Sequence, residues 1–334
     1  MPVTDKSLDV LAIGNAIVDV IAAADDDFLA REGLDKGSMR LIDADEATRL
    51  YGRMGPGREI SGGSAGNTAA GVAMLGGRAG FIGQVADDQL GDVFRHDIGS
   101  VGVEFTTPSR PQSEAPTARS LVLVTPDAQR TMNTFLGAAQ NLSSEALDEA
   151  QLERTRILYL EGYLWDPEVP RAAMERAIDV VRGAGGSIAF TLSDSFCVER
   201  HRDSFNALID SGRLDILFAN EAEIVSLTGE AGFDEAVAAT AKRVPVLVVT
   251  RSEKGAVAVE GEERVEVPAE PVERIVDTTG AGDLFAAGFL AGRAQGRSNV
   301  ESLRMGAIAA AEVISHYGAR PEADLKALVA ERLG

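Results

Sequence analysis

Short, nearly continuous apolar runs recur along this chain at 8–13, 157–160, 187–192, 216–219 and 246–250, and longer stretches of helical spacing separate them. Apolar runs of this kind suit strands buried on both faces, and strands that alternate with helices predict parallel pairing through crossover connections. The helical pattern is clearest over 170–182, where Ala173, Ala177, Val180 and Val181 recur at helical spacing and Gly183 marks the end. The fold class read from this is α/β, a doubly wound and mostly parallel sheet. Two stretches break the alternation, about 17–62 and 103–136, where polar, Gly- and Pro-containing segments flank short extended runs such as 120–124. They are expected to form a small β lid. With no Ser/Pro linker, repeat or low-complexity tract, residues 1–334 read as one domain carrying that appendage.

Composition narrows the function. At 334 residues and 45% hydrophobic content the chain can bury a substantial core. Its 32 Lys and Arg against 52 Asp and Glu give a net charge of −20, which argues against nucleic acid or an acidic membrane as partner. An anionic substrate would need local donors. The single Cys197 excludes an internal disulfide, and His96, His201 and His316 lie too far apart in the sequence for a zinc motif. With neither a basic-then-apolar leader nor an apolar run long enough to span a bilayer, the expected location is the cytoplasm.

The densest chemical signal is Asp277-Thr278-Thr279-Gly280-Ala281-Gly282-Asp283, which runs straight into the apolar stretch 284–291. Glycines permit a tight turn that bares successive N–H groups, and a helix starting there adds its positive dipole end, so the loop suits phosphate. A carboxylate at that place reads as a base for a hydroxyl proton, although for this motif taken alone a helix cap is the preferred reading. A second glycine turn, Gly62-Gly63-Ser64-Ala65-Gly66-Asn67-Thr68, opens another helix; its glycines would let a ligand lie against bare backbone, and Asn67 could bind vicinal hydroxyls. Ser64 could instead be a simple cap. The same five residues match G-x-S-x-G, but a nucleophile elbow follows a strong apolar strand and Gly57-Arg58-Glu59-Ile60-Ser61 is a poor one, which disfavours a hydrolase. No G-x-x-x-x-G-K-[ST] occurs and no G-x-G-x-x-G follows the first strand, so P-loop and Rossmann folds drop out.

The two glycine motifs, their order and their spacing resemble the ribokinase-like (PfkB) carbohydrate kinase family over about 10–320, with Gly76-Gly77, the stretch 81–91 and Gly288-Phe289 adding to the likeness. The resemblance implies a three-layer α/β/α sandwich and ATP-dependent phosphorylation of an alcohol. It casts Asp283 as base and Gly280, Ala281 and Gly282 as the amides that hold the developing phosphate charge. Asn220-Glu221-Ala222-Glu223 is similar to the family's Asn-x-x-Glu motif, which would make Glu223 the acid that organises Mg²⁺ through water; favourable acids at a solvated helix start are the plainer account. Thr250 to Gly255 resembles the loop around ATP, with Thr250, Ser252 and Gly255 as contacts beside Asn220, although Ser252 stands where glycine is usual. Asp277, Thr279 and Gly318 look like a monovalent-cation loop, implying a K⁺ requirement, while Gly318 and Pro321 would equally serve to end a helix over about 300–317.

Family members phosphorylate sugars, sugar acids and nucleosides. Here the residues lean toward adenosine kinases: Asp19 stands where ribose hydroxyls are bound, Gly62, Gly63 and Asn67 join it, and Leu164 and Phe196 could sandwich a base, unless they are ordinary core residues. A ribokinase- or fructokinase-like sugar kinase is the alternative, and a non-catalytic nucleoside-binding protein is a third reading. Arg119, Arg130 and Asn133 fall in or near the expected lid, where they could touch substrate or phosphate, although a charged solvated surface is the plainer reading. Monomer and homodimer both fit, because lid strand edges could pair between chains or stay covered within one.

Overall fold

The computed structural model describes residues 6–127 and 129–333, so the expectation of no leader bears partly on residues 1–5, outside the described residues. The strands are β1 (Leu8–Ile13), β2 (Ile17–Ala23), β3 (Met39–Leu41), β4 (Gly57–Gly62), β5 (Ala79–Ile82), β6 (Glu104–Phe105), β7 (Ala118–Val124), β8 (Arg130–Phe135), β9 (Thr155–Glu161), β10 (Ser187–Thr191), β11 (Ile216–Asn220), β12 (Val246–Thr250), β13 (Ala256–Glu260) and β14 (Glu263–Val267). Nine form one sheet in the order β14-β13-β12-β11-β10-β9-β1-β5-β6. From β12 to β6 every pairing is parallel, and β13 and β14 close one edge antiparallel. Two apolar cores cover the sheet, one including Val10, Tyr159, Phe218 and Phe289, the other Leu11, Leu158, Phe190 and Leu247. Alternate residues of the same strands feed opposite cores, which explains why the strands read as continuous apolar runs.

The other five strands form a second sheet in the order β3-β8-β7-β2-β4. Within the stretch 103–136, only β7 and β8 join it: Glu104–Phe105 pairs with β5 at the edge of the large sheet, and Phe105 packs against Phe81 and Phe94. Other boundaries shift as well. The helix expected over 170–182 runs Glu168–Gly183, and the one expected over 300–317 is Asn299–Val313, ending four residues early. Its C-cap is Ile314, so Gly318 is not the helix stop.

Two helices carry the chemistry. Ser64–Met74 follows β4 through Gly63, whose φ of 83° and closeness to the Asn15 carbonyl both require glycine. Ala281–Ala294 starts at Gly280, also left-handed at φ 79°. They pack so tightly that a Cβ on Gly71 would lie 2.6 Å from Ala287 Cβ and 2.7 Å from Leu284 Cδ1. On its far side, Ala281–Ala294 meets Asn299–Val313 through Gly288, where a Cβ would lie 2.5 Å from the backbone of Met305 and Gly306. Small residues thus let three helices approach backbone to backbone and fix the first turn of Ala281–Ala294.

Candidate active site

Asp283 lies in that first turn. Its Oδ1 accepts a hydrogen bond from Ser64 Oγ at 2.6 Å and its Oδ2 one from Asn67 Nδ2 at 2.9 Å, while Thr68 Oγ1 donates to its carbonyl. Burial pushes the Asp283 carboxyl above its ordinary range, and the two donors and the nearby Arg320 charge pull it back. It is therefore a more basic carboxylate than one in water, held in a fixed orientation. Ser64 is neither cap nor nucleophile: the N-cap is Gly63, Ser64 donates to Asp283, and β4 is an antiparallel edge strand of the small sheet. His316 contacts Glu312 instead.

A cavity of about 440 Å³ opens over Asp283. Its lining collects Asp19, Gly63, Asn67 and Ser64 with 280–283 and also Asn220, Glu223 and Thr250. Asn67 Oδ1 is buried with no hydrogen-bond partner among the described residues, an acceptor left over once its amide group serves Asp283. Gly62 is required by its neighbour, since a Cβ there would lie 2.4 Å from Asp19 Oδ2. Burial raises the Asp19 carboxyl to about 6, against the pull of Arg320 and Arg130 and with a push from Asp283. Gly282 differs from Gly62, Gly63 and Gly280 in that a Cβ would meet nothing within 4 Å, so the backbone there borders open space.

Glu223 caps its own helix with Asn220. Asn220 N donates to Oε2 at 3.0 Å, Asn220 Nδ2 to Oε1 at 2.5 Å, and Glu223 N returns a bond to Asn220 Oδ1 at 2.8 Å. Burial lifts its carboxyl to about 7. Both oxygens already hold a donor, and no group of three or more acids, His or Cys able to hold a metal occurs among the described residues. That donor set suits a Mg²⁺ that keeps its waters and takes its remaining oxygens from phosphate. Thr250 reaches the cavity, whereas Ser252 and Gly255 do not line it. Ser252 adopts φ 51°, the left-handed region in which glycine would be easier, and a Cβ on Gly255 would strike the Val267 carbonyl at 2.0 Å.

Four residues depart from expectation. Leu164 is fully buried in the core with Trp165 and Phe190 and cannot face a ligand, and Phe196 is 72% exposed and outside the cavity lining. Tyr163, the neighbour of Leu164, lines the cavity instead, with Tyr159, Phe218 and Phe285; its N–H donates to Ser193 Oγ, and Ser193 is one of two non-glycine residues described with positive φ. Arg130 is not solvated surface: its side chain is 10% exposed and Nη1 lies 2.7 Å from Asp277 Oδ2. Arg119 donates to Thr48 and lies over the Tyr51 and Phe135 rings, and buried Asn133 accepts from Arg40, all within the small sheet and its attached helix.

Arg320 and Glu161 were missed. Arg320 donates to the carbonyls of Gly66 and Ser61, at 3.1 and 2.7 Å, and so ties the second glycine turn to the segment after Gly318. Glu161, with no solvent exposure, accepts from Asn15 N, Asn15 Nδ2 and Ala65 N, and burial raises its carboxyl to about 7. It is a hub beneath both Asn15 and the start of helix Ser64–Met74. Nothing in the sequence around Leu160-Glu161-Gly162 marks that role; only the parallel register of β1 with β9 creates it.

A family profile described as pfkB family carbohydrate kinase matches residues 34–325. Among solved structures, an adenosine kinase from Sinorhizobium meliloti is 50% identical over 98% of this chain and 100% of that one, with a TM-score of 0.89. A protein from Rhizobium etli CFN 42 described as a probable sugar kinase is 46% identical over 98% of both chains, with a TM-score of 0.90. A ribokinase from Arabidopsis thaliana is 29% identical over 79% of this chain and 70% of its own length.

Proposed function

This chain belongs to the pfkB family of carbohydrate kinases and is an ATP-dependent kinase acting on an alcohol group; from that premise we propose that its acceptor is adenosine, phosphorylated on the primary hydroxyl of the ribose. The observation that carries the reading is the single cavity in which Asp283 stands between the 280–282 loop and the pair Asp19 and Asn67. Tyr159, Tyr163, Phe218 and Phe285 bring aromatic side chains to that lining, as a base would need, and the 50% identical neighbour named adenosine kinase supports the same choice. A free-sugar acceptor is the second reading, favoured by Ser120 and Thr134, which bring hydroxyls into the same lining, and by the Rhizobium etli relative.

Chemistry follows from the placement. Asp19 and the unused Asn67 Oδ1 bind ribose hydroxyls. Asp283, oriented by Ser64 and Asn67, takes the proton of the attacking hydroxyl as its oxygen bonds to the γ-phosphorus of ATP. The bond from that phosphorus to the bridging oxygen breaks with its electron pair, which leaves on ADP. Amides of 280–282 at the helix start hold the charge that develops on the transferring group. Mg²⁺, held through water near Glu223, would neutralise the ATP phosphates. No step needs a covalent enzyme intermediate.

ADP production from Mg·ATP with adenosine, ribose, fructose or no acceptor tests the reading. Adenosine alone should be turned over, and Asp283→Asn should lower that turnover by about 10²–10⁴ while melting like the wild type. Selective turnover of a sugar would transfer the assignment to the second reading, and full activity in Asp283→Asn would overturn the role of the carboxylate.

A further inference from the structure

The residues expected to seat potassium do converge, but around a guanidinium. Arg130 Nη1 lies 2.7 Å from Asp277 Oδ2 and donates to Thr279 Oγ1 at 2.8 Å, and the two charged side chains are 10% and 5% exposed. Gly318 N donates to the same Oδ2 at 2.9 Å and Thr279 N to Oδ1 at 3.0 Å. Both Asp277 oxygens therefore accept from backbone N–H groups, and Oδ2 also pairs with a guanidinium that holds Thr279 Oγ1. A monovalent ion needs oxygens that replace its water, and both carboxylate oxygens of Asp277 are already engaged by N–H groups. A second positive charge beside Oδ2 would also meet the buried Arg130 charge at close range.

We propose that Arg130 is the built-in cation of this loop: it neutralises Asp277 and holds Thr279 at the entrance to the 280–283 turn, so the protein works without K⁺. Arg130 lies at the start of β8, in the small sheet, whereas Asp277 and Thr279 belong to the segment that leads into helix Ala281–Ala294. A mobile ion would brace the phosphate loop whatever the small sheet did. A guanidinium braces it only when that sheet is seated. Arg130 is thus a positioning residue that makes order in the anion loop conditional on the position of the sheet. The activity arm of its test rests on the kinase reading above; the stability arm does not.

Wild-type protein and Arg130→Ala would be compared in KCl, NaCl and choline chloride at equal ionic strength, by thermal unfolding and by ADP production. The wild type should melt at the same temperature in all three salts and turn over adenosine at rates within about twofold. Arg130→Ala should melt lower, lose at least tenfold in rate, and recover part of both losses in KCl or guanidinium at non-denaturing concentration. A wild type stabilised by K⁺ over choline by several degrees, or activated tenfold, overturns the proposal, as does an Arg130→Ala protein as active as the wild type in choline. If Arg130→Ala does not fold, Arg130→Lys takes its place, and the wild-type melting comparison still decides. Melting indifferent to K⁺ together with silence toward every acceptor would uphold the cation replacement while removing the adenosine reading.

Discussion

At the scale of single residues, the carboxylates of the cavity are where sequence and structure part most. Asp283 was legible because it follows glycines that permit close approach, and Asp19 only through the family resemblance; Leu164 and Phe196 were not, because an aromatic or aliphatic residue beside a strand end gives no sign of which way it faces. Tyr163 lines the cavity and Leu164 next to it is core. Asp19 also carries a pH dependence. Its folded carboxyl titrates at about 6 against an ordinary 3.8, so between those values the folded state holds a proton that the unfolded chain has lost. Stability from this group is present below pH 3.8 and drains away as pH rises to 6, by up to roughly 3 kcal/mol and less where cavity water screens the charge. Asp19→Asn should therefore raise the melting temperature over wild type more at pH 8 than at pH 5. An equal gain at both, measured by calorimetry, would show that Asp19 titrates normally.

At the scale of elements, the central strands were readable almost to the residue, since burial on both faces leaves no polar interruption to blur them. The hairpin β13–β14 was not singled out, although a two-residue turn with Gly261 at φ 60° separates its strands. Helix ends depended on tertiary bonds: Asn299–Val313 stops early because the segment after it is drawn to Asp277 and to the second glycine turn, through Gly318 and Arg320. The glycines of the helices separate packing from chemistry. Gly71→Ala forces a methyl into Ala287 and Leu284 and should destabilise the protein by about 1–3 kcal/mol, pushing Ser64 and Asn67 off Asp283 and lowering turnover with it. Gly282→Ala meets no neighbour and should melt at or slightly above the wild-type temperature, yet lose turnover because its methyl borders the anion loop. Parallel melting and ADP assays separate the two, and equal loss of stability in both would contradict this division.

At the scale of the whole molecule, two sheets meet at one cavity, and neither alone supplies the proposed site. Asp19, Ser120 and Thr134 come from the small sheet, and Asn220, Glu223 and Thr250 from the C-terminal ends of β11 and β12 or just beyond them. Ligands that span both should stabilise the fold by mass action, about 2.7 kcal/mol at a hundred times Kd. Adenosine with a non-hydrolysable ATP analogue should raise the melting temperature by more than the sum of the two single-ligand shifts, and strictly additive shifts would mean the two halves of the cavity are not coupled.

The hydrogen bond from Ser64 to Asp283 joins residues 219 positions apart in the chain, and Arg320 reaches back 259 positions to Ser61. Contacts that distant close the longest loops and form late in folding. On a ribosome that adds about 5–20 residues per second, helix Ser64–Met74 waits roughly ten to forty seconds for the helix it packs against. Through that interval the face that carries Ser64, Asn67, Thr68 and Gly71 has no native cover. The small residues that permit so close an approach also leave little greasy surface for other chains to seize while the partner is still being made.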